Sequence, residues 1–288
     1  MGKSILWRLT YYNLNQTLFQ TKLYVFIIIS IFLAFMSSKL MSNELPDSST
    51  LNFWDGVFSF IGNYQINLFL LVLYFLYSII KVLYDNDEVN IFIRLISKEQ
   101  WLFSKIITIC IHSLVAVLLF YLIPLVVNLI LLPYDASWSE EVANVLAGKS
   151  PLISLPHMDF SKAFSPIFAF ILSFLLTMMA LNIIGLFNIF LFMMFNKKKT
   201  VVIAINIVYL IFCYICYHYI DLGFFNFISI YDFMVLEFFY YKPHQLDFFN
   251  NFYYAIYYLY VTFYFWTFVS SKMVHFMKGR FNVSKYII

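Results

Sequence analysis

The chain has 288 residues and a net charge of +3; 63% of it is hydrophobic, 22% aromatic and only 11% charged, with a mean hydropathy of +0.83. Soluble domains run at about 45–50% apolar and about 25% charged residues, so this chain cannot coat a water-facing globule of its own size. A soluble enzyme, a nucleic-acid-binding module and a disordered protein are all excluded. The composition is that of an integral membrane protein.

The N-terminal segment carries no signature of a cleavable signal. The first long apolar run begins only near Leu23, and no small-residue cleavage pattern follows it. A spanning helix needs about 20 mostly apolar residues, and six runs meet that requirement: 23–41, 66–84, 106–132, 163–195, 201–220 and 253–271. Pro124 is expected to kink the third run. The fourth, at about 1.5 Å per residue, is about 50 Å long. It must tilt, protrude or break, and Asn182 and Gly185 mark the expected place. Cys110, Cys213 and Cys216 all lie in apolar runs, which argues against structural disulfides.

Charge sets the orientation. With the N-terminus inside, the cytoplasmic segments hold Lys3, Arg8, Lys22, Lys81, Arg94, Lys98, Lys105, Lys197, Lys198, Lys199, Lys272, Lys278, Arg280 and Lys285. The outer segments hold only Lys39, Lys149, Lys162 and Lys242. That asymmetry is a positive-inside signal, and it puts both termini in the cytoplasm. Most acidic residues fall outside; only Asp85, Asp87, Glu88 and Glu99 fall inside.

The span interiors contain no Asp, Glu, Lys or Arg, and only His112 and His218 can titrate there. Proton- or sodium-coupled carriers and intramembrane proteases need ionisable or nucleophilic groups at such depths, so both are disfavoured. No metal-ligating set stands out. Cys110 and His112 do not share a helix face, and Cys213 with Cys216 reads as packing. The run Ala143-Asn-Val-Leu-Ala-Gly148-Lys149-Ser150 imitates a phosphate-binding loop, but Pro151 stops the helix which that chemistry needs. Asn67, Ser113, Asn128, Thr177 and Asn182, with Asn188 and Asn206, are the candidate lining of a substrate path. The competing reading for each is an interhelical hydrogen bond, which is favoured for any one of them.

The loop between the second and third runs carries the mechanistic signal. Asn86 or Asp87 is suited to cap a helix whose Val89, Phe92, Ile93 and Ile96 form one apolar stripe, with Arg94, Lys98 and Glu99 on other faces. Such a helix suits either the membrane surface or a groove in a soluble partner.

Glu88, Arg94, Ser97, Trp101 and Lys105, in that order before a span, resemble the first coupling helix of ABC-2-type transporter permeases. Residues 4–20 look like the interfacial helix that precedes the first span in that family. The Phe-rich stretch 221–252 resembles its re-entrant helices between the fifth and sixth spans. The resemblance implies one all-α polytopic permease domain over 1–288, with six transmembrane helices, an interfacial helix at 1–22, a coupling helix at 85–101 and an outer re-entrant segment at 221–252. It implies a subunit of an ATP-driven exporter in a bacterial cell membrane, with no catalysis and no cofactor on this chain. ATP and Mg would sit on two separate ABC ATPase subunits, and a second permease copy or paralogue would complete the pathway. Glu88, Phe92, Arg94, Ile96, Lys98, Trp101 and Lys105 would form the ATPase-coupling contact. The cargo would be an amphipathic peptide or lipid-like molecule taken from the bilayer, with no nucleic acid involved. The alternative is a non-transporting six-span immunity or scaffold protein.

Overall fold

The computed structural model describes residues 2–18, 20–44, 51–84, 98–139, 164–195 and 198–219. Among these every regular element is helical: α1 (Gly2–Leu18), α2 (Thr21–Glu44), α3 (Phe53–Ile61), α4 (Tyr64–Leu83), α5 (Lys98–Leu131), α6 (Pro166–Met194) and α7 (Lys199–Tyr219). Four of them, α2, α4, α5 and α6, are long and apolar enough to cross a membrane. The protein is a helical membrane protein. Its outer faces fit that solvent: Ile28 on α2, Ile130 on α5 and Ile171 on α6 are all exposed apolar side chains.

Helix α5 is the hub, packing against α1, α2, α3, α4 and α6. Its inward face carries Ile109, Ala116, Val117, Phe120 and Tyr121 into the core, where they meet Phe60, Phe75 and Leu181 from α3, α4 and α6. Pro124 lies within α5 and removes one backbone donor. The helix continues through it, and the Asn128 amide donates to the Pro124 carbonyl at 2.8 Å.

Three details depart from the sequence-based expectation. The fourth apolar run does not break at Asn182 or Gly185; α6 is one continuous helix, with Pro166 at its first turn where a missing N–H is harmless. Gly185 instead permits close approach. A Cβ there would collide with Ile109, so α6 lies tight against α5 at this level. Second, 98–101, expected to end a separate surface helix, belong to the same helix as the third run. Third, the connection after α2 holds α3, a helix buried along its whole length. The Asn52–Asp55 capping box opens α3: Asn52 Oδ1 accepts from the Asp55 N–H at 3.1 Å, and Asp55 Oδ2 accepts from the Asn52 N–H at 2.9 Å.

Helix α4 contains a π-helical stretch, Asn67–Val72. The Asn67 amide donates to the Ile61 carbonyl at 2.6 Å and to the Asn63 carbonyl at 3.0 Å. That side chain ties the α3–α4 bend together, and the Asn63 carbonyl also accepts the Asn67 N–H at 3.0 Å. The sixth run, 253–271, and the segments 85–97 and 221–252 lie outside the described residues.

Candidate functional site

The most distinctive polar arrangement is a lysine-centred joint at one end of the bundle. Lys105, on the first turns of α5, is completely buried. A buried ammonium is costly unless it is fully hydrogen-bonded. Here it donates to the Val82 carbonyl at 2.6 Å and to Asn13 Oδ1 at 3.1 Å. Val82 lies in the last turn of α4, where unpaired carbonyls and the negative end of the helix dipole attract a cation. The Trp101 ring, 5.7 Å away, adds an aromatic face. One charge thus ties α1, α4 and α5 together.

The α1 side of the joint is built on helical spacing. Thr10, Asn13 and Thr17 recur at i, i+3 and i+7 and turn a polar face inward, while Trp7 and Tyr11 are exposed. Asn13 Nδ2 donates to Ser104 Oγ at 3.1 Å, and the Thr10 hydroxyl lies 3.4 Å from the same oxygen. The helix therefore packs polar side in and aromatic side out. That suits the headgroup zone, where Trp and Tyr anchor.

Of the residues assigned by resemblance to an ATPase contact, Lys105 is in this interior joint. Trp101 is half-buried, its ring 5.8 Å from Phe192 of α6, and Lys98 belongs to α5. Glu88, Phe92, Arg94 and Ile96 lie outside the described residues. Sequence reasoning missed Asn13 and Ser104. The polar i, i+3, i+7 spacing of α1 is the signal that marks Asn13; Ser104, on α5, carries no such mark.

The candidate path residues are distributed along helix contacts rather than around one chamber. Ser113 Oγ donates to Asn182 Oδ1 at 2.8 Å, joining α5 to α6. One turn pair further, the Tyr121 hydroxyl lies 2.7 Å from Ser173 Oγ and 2.9 Å from Thr177 Oγ1. Asn128 accepts from Ser38 of α2 at 2.6 Å. A Cβ on Gly56 would run into the Asn128 amide, so α3 is seated directly on it. Asn67 serves the α3–α4 bend. A further pair, Asn188 and Asn206, exchanges reciprocal bonds of 3.2 and 2.7 Å between α6 and α7.

At the end of the bundle opposite Lys105 sits Asp55, 1% exposed. Burial pushes its carboxyl up to about 6, against weaker lowering by the Asn52 backbone and by Ser139, while nearby Asp135 adds to the rise. The same corner is stitched by Asn52 Nδ2 donating to the Ser137 carbonyl at 2.6 Å and Trp138 Nε1 donating to the Phe164 carbonyl at 2.7 Å. His112, inside α5, stacks beside Phe75 with ring centroids 5.8 Å apart. No group of three or more His, Cys, Asp or Glu able to hold a metal occurs among the described residues.

No family model, curated protein or solved structure matches this chain.

Proposed function

We propose that the chain is the membrane subunit of an ATP-driven exporter of the ABC-2 permease kind. Six spans with both termini in the cytoplasm would be paired with a second copy or paralogue and with two separate ATPase subunits. The observation that carries this reading is the Lys105 joint. Residues 85–101, which resemble a coupling helix, lie in the stretch between Val82 and Lys105, the two ends of one hydrogen bond. A displacement of that loop acts on α4 and α5 together, and through Asn13 on α1. ATPase closure would tilt it and switch the pathway between its inward- and outward-facing forms.

The cargo is amphipathic, with a peptide ranked first. No carboxylate, lysine or arginine lies in the middle of the apolar runs to pair with a small ion. Hydroxyl, amide and aromatic groups would suit both faces of an amphipathic molecule instead, once the helix contacts that now hold them open.

Purifying the chain together with an ATPase encoded beside it tests the assignment directly. The expected result is a stable complex whose ATP turnover depends on the permease. Repeated failure to co-purify, with turnover indifferent to the permease, overturns it in favour of an immunity or scaffold protein. Within the complex, Arg94→Glu should keep the protein in the membrane and uncouple turnover from export, because it sets a negative charge against an acidic docking patch. Lys149→Glu is the control and should change neither. Wild-type and deletion cells should differ in release of, or sensitivity to, amphipathic peptides; equal behaviour in both assays removes the peptide.

A further inference from the structure

Helices α4 and α7 meet where Tyr214 of α7 lies beside Tyr64 and Phe69 of α4, with ring centroids 5.9 and 6.3 Å apart, and leave a gap towards the other end. Between them lies a cleft of about 440 Å³ with two chemically distinct ends. Its apolar part is walled by Leu73 and Leu76 of α4 and by Ile207 and Leu210 of α7. Its mouth carries Lys81, in the last turn of α4, and Lys199, the first residue of α7. Tyr77 lies between, and the Lys22 ammonium rests 3.3 Å over its ring, bringing a third cation to the same end. Among the described residues no carboxylate pairs with Lys22, Lys81 or Lys199.

The dimensions are those of one leaflet. From Leu73 to Lys81 is eight residues, about 12 Å of helix, close to half of a hydrocarbon core about 30 Å thick. The cleft opens outward past Leu73, Tyr77 and Ile207, all more than 40% exposed and so facing the bilayer. A small soluble anion would use the lysines and gain nothing from the apolar wall. A neutral chain would use the wall and leave three cations unanswered. One ligand class uses both ends.

We propose that this cleft binds an anionic phospholipid, its phosphate at Lys81 and Lys199 and an acyl chain along the wall made by Leu73, Leu76, Ile207 and Leu210. Basic pockets between helices at the cytoplasmic face are where anionic headgroups collect. Only the leaflet depends on the orientation proposed above; the binding does not. The lipid fills the seam between α4 and α7, next to the Asn188–Asn206 clasp, and so bears on how α7 moves against α4.

The test is native mass spectrometry of the full-length chain in detergent, with added dioleoyl phosphatidylglycerol or dioleoyl phosphatidylcholine. Neither orientation nor an ATPase enters that assay. Phosphatidylglycerol should be retained selectively. Lys81→Gln with Lys199→Gln should weaken it on the order of 30-fold, two lysines' worth of headgroup attraction, with phosphatidylcholine unchanged. Both lysines are exposed, so the fold should survive. Ile207→Trp, which fills the cleft, should displace the lipid while leaving the lysines in place. Equal retention of the two lipids, or undiminished phosphatidylglycerol binding in either variant, overturns the proposal. So does displacement of the lipid by glycerol 3-phosphate at equal concentration, because the site would then be one for a soluble anion.

Discussion

A buried ammonium is tolerable only while its acceptors stay in place, so Lys105 and Asn13 should behave as a unit. Asn13→Leu leaves the charge one acceptor short and is expected to cost about 2–4 kcal/mol in unfolding by denaturing detergent. Adding Lys105→Met removes the charge and should recover part of that loss; a coupling energy of about 1–3 kcal/mol is expected from the double-mutant cycle. Strict additivity would show that the two side chains act separately. Asp55 gives a prediction in pH. Its folded value, about 6, lies above the ordinary 3.8, so between these values the folded chain binds more protons than the unfolded one. The corresponding stability is full below about pH 4 and is lost as pH rises through 6, a change of up to about 3 kcal/mol. Asp55→Asn keeps an acceptor for the Asn52 N–H and should flatten that slope; an unchanged slope would assign it to another group. Lysine 105 was legible in the sequence as the cation that opens a span, but not its burial. Lysines are almost always exposed, and its partner at Val82 is a backbone carbonyl, which no residue type announces.

Long apolar runs announced α2, α4, α5 and α6, because about 20 apolar residues in a row have few other uses. Helix α3 was hidden for a physical reason. It is too short to span and has Asp55 near its start, and its burial is decided by Asn128, Pro133 and Ser137, some 80 residues away. The continuity of α6 was also illegible: Gly185 reads as a weak point in isolation, whereas Ile109 and Ile79 pressing on it make it a contact. Gly185→Ala should therefore destabilise the bundle by about 1–3 kcal/mol although it raises helix propensity. A gain in stability would mean that the α5–α6 contact is loose. Along the same interface Tyr121→Phe removes the hydroxyl shared with Ser173 and Thr177. It should cost about 1 kcal/mol, within the range measured for hydrogen bonds between membrane helices.

Across the whole molecule, most lysines of the described residues gather at one end, with Lys39 on α2 the exception, next to the Ser38 that bonds Asn128. Lys22, Lys81, Lys105 and Lys199 gather where α1, the end of α4 and the start of α5 meet. Asp55 and Asp135 lie at the other end, beside Ser137 and Ser139. That separation runs in the same sense as the asymmetry read along the sequence, and labelling tests which end faces the cytoplasm. In a chain with its native cysteines replaced, Ser137→Cys should react with an impermeant maleimide from outside intact cells. Lys81→Cys should react only once the membrane is opened. The reverse pattern would invert the orientation and with it the exporter proposal.

The joint also imposes a schedule on synthesis. Asn13 leaves the ribosome 91 residues ahead of Ser104 and 92 ahead of Lys105. At about 5–20 residues per second the polar face of α1 therefore waits roughly 5–20 s for its partners. During that interval Trp7 and Tyr11 can hold the helix at the headgroups, so α1 is moored before it is docked. Any delay in inserting α5 prolongs a state in which α1 is made but not yet secured.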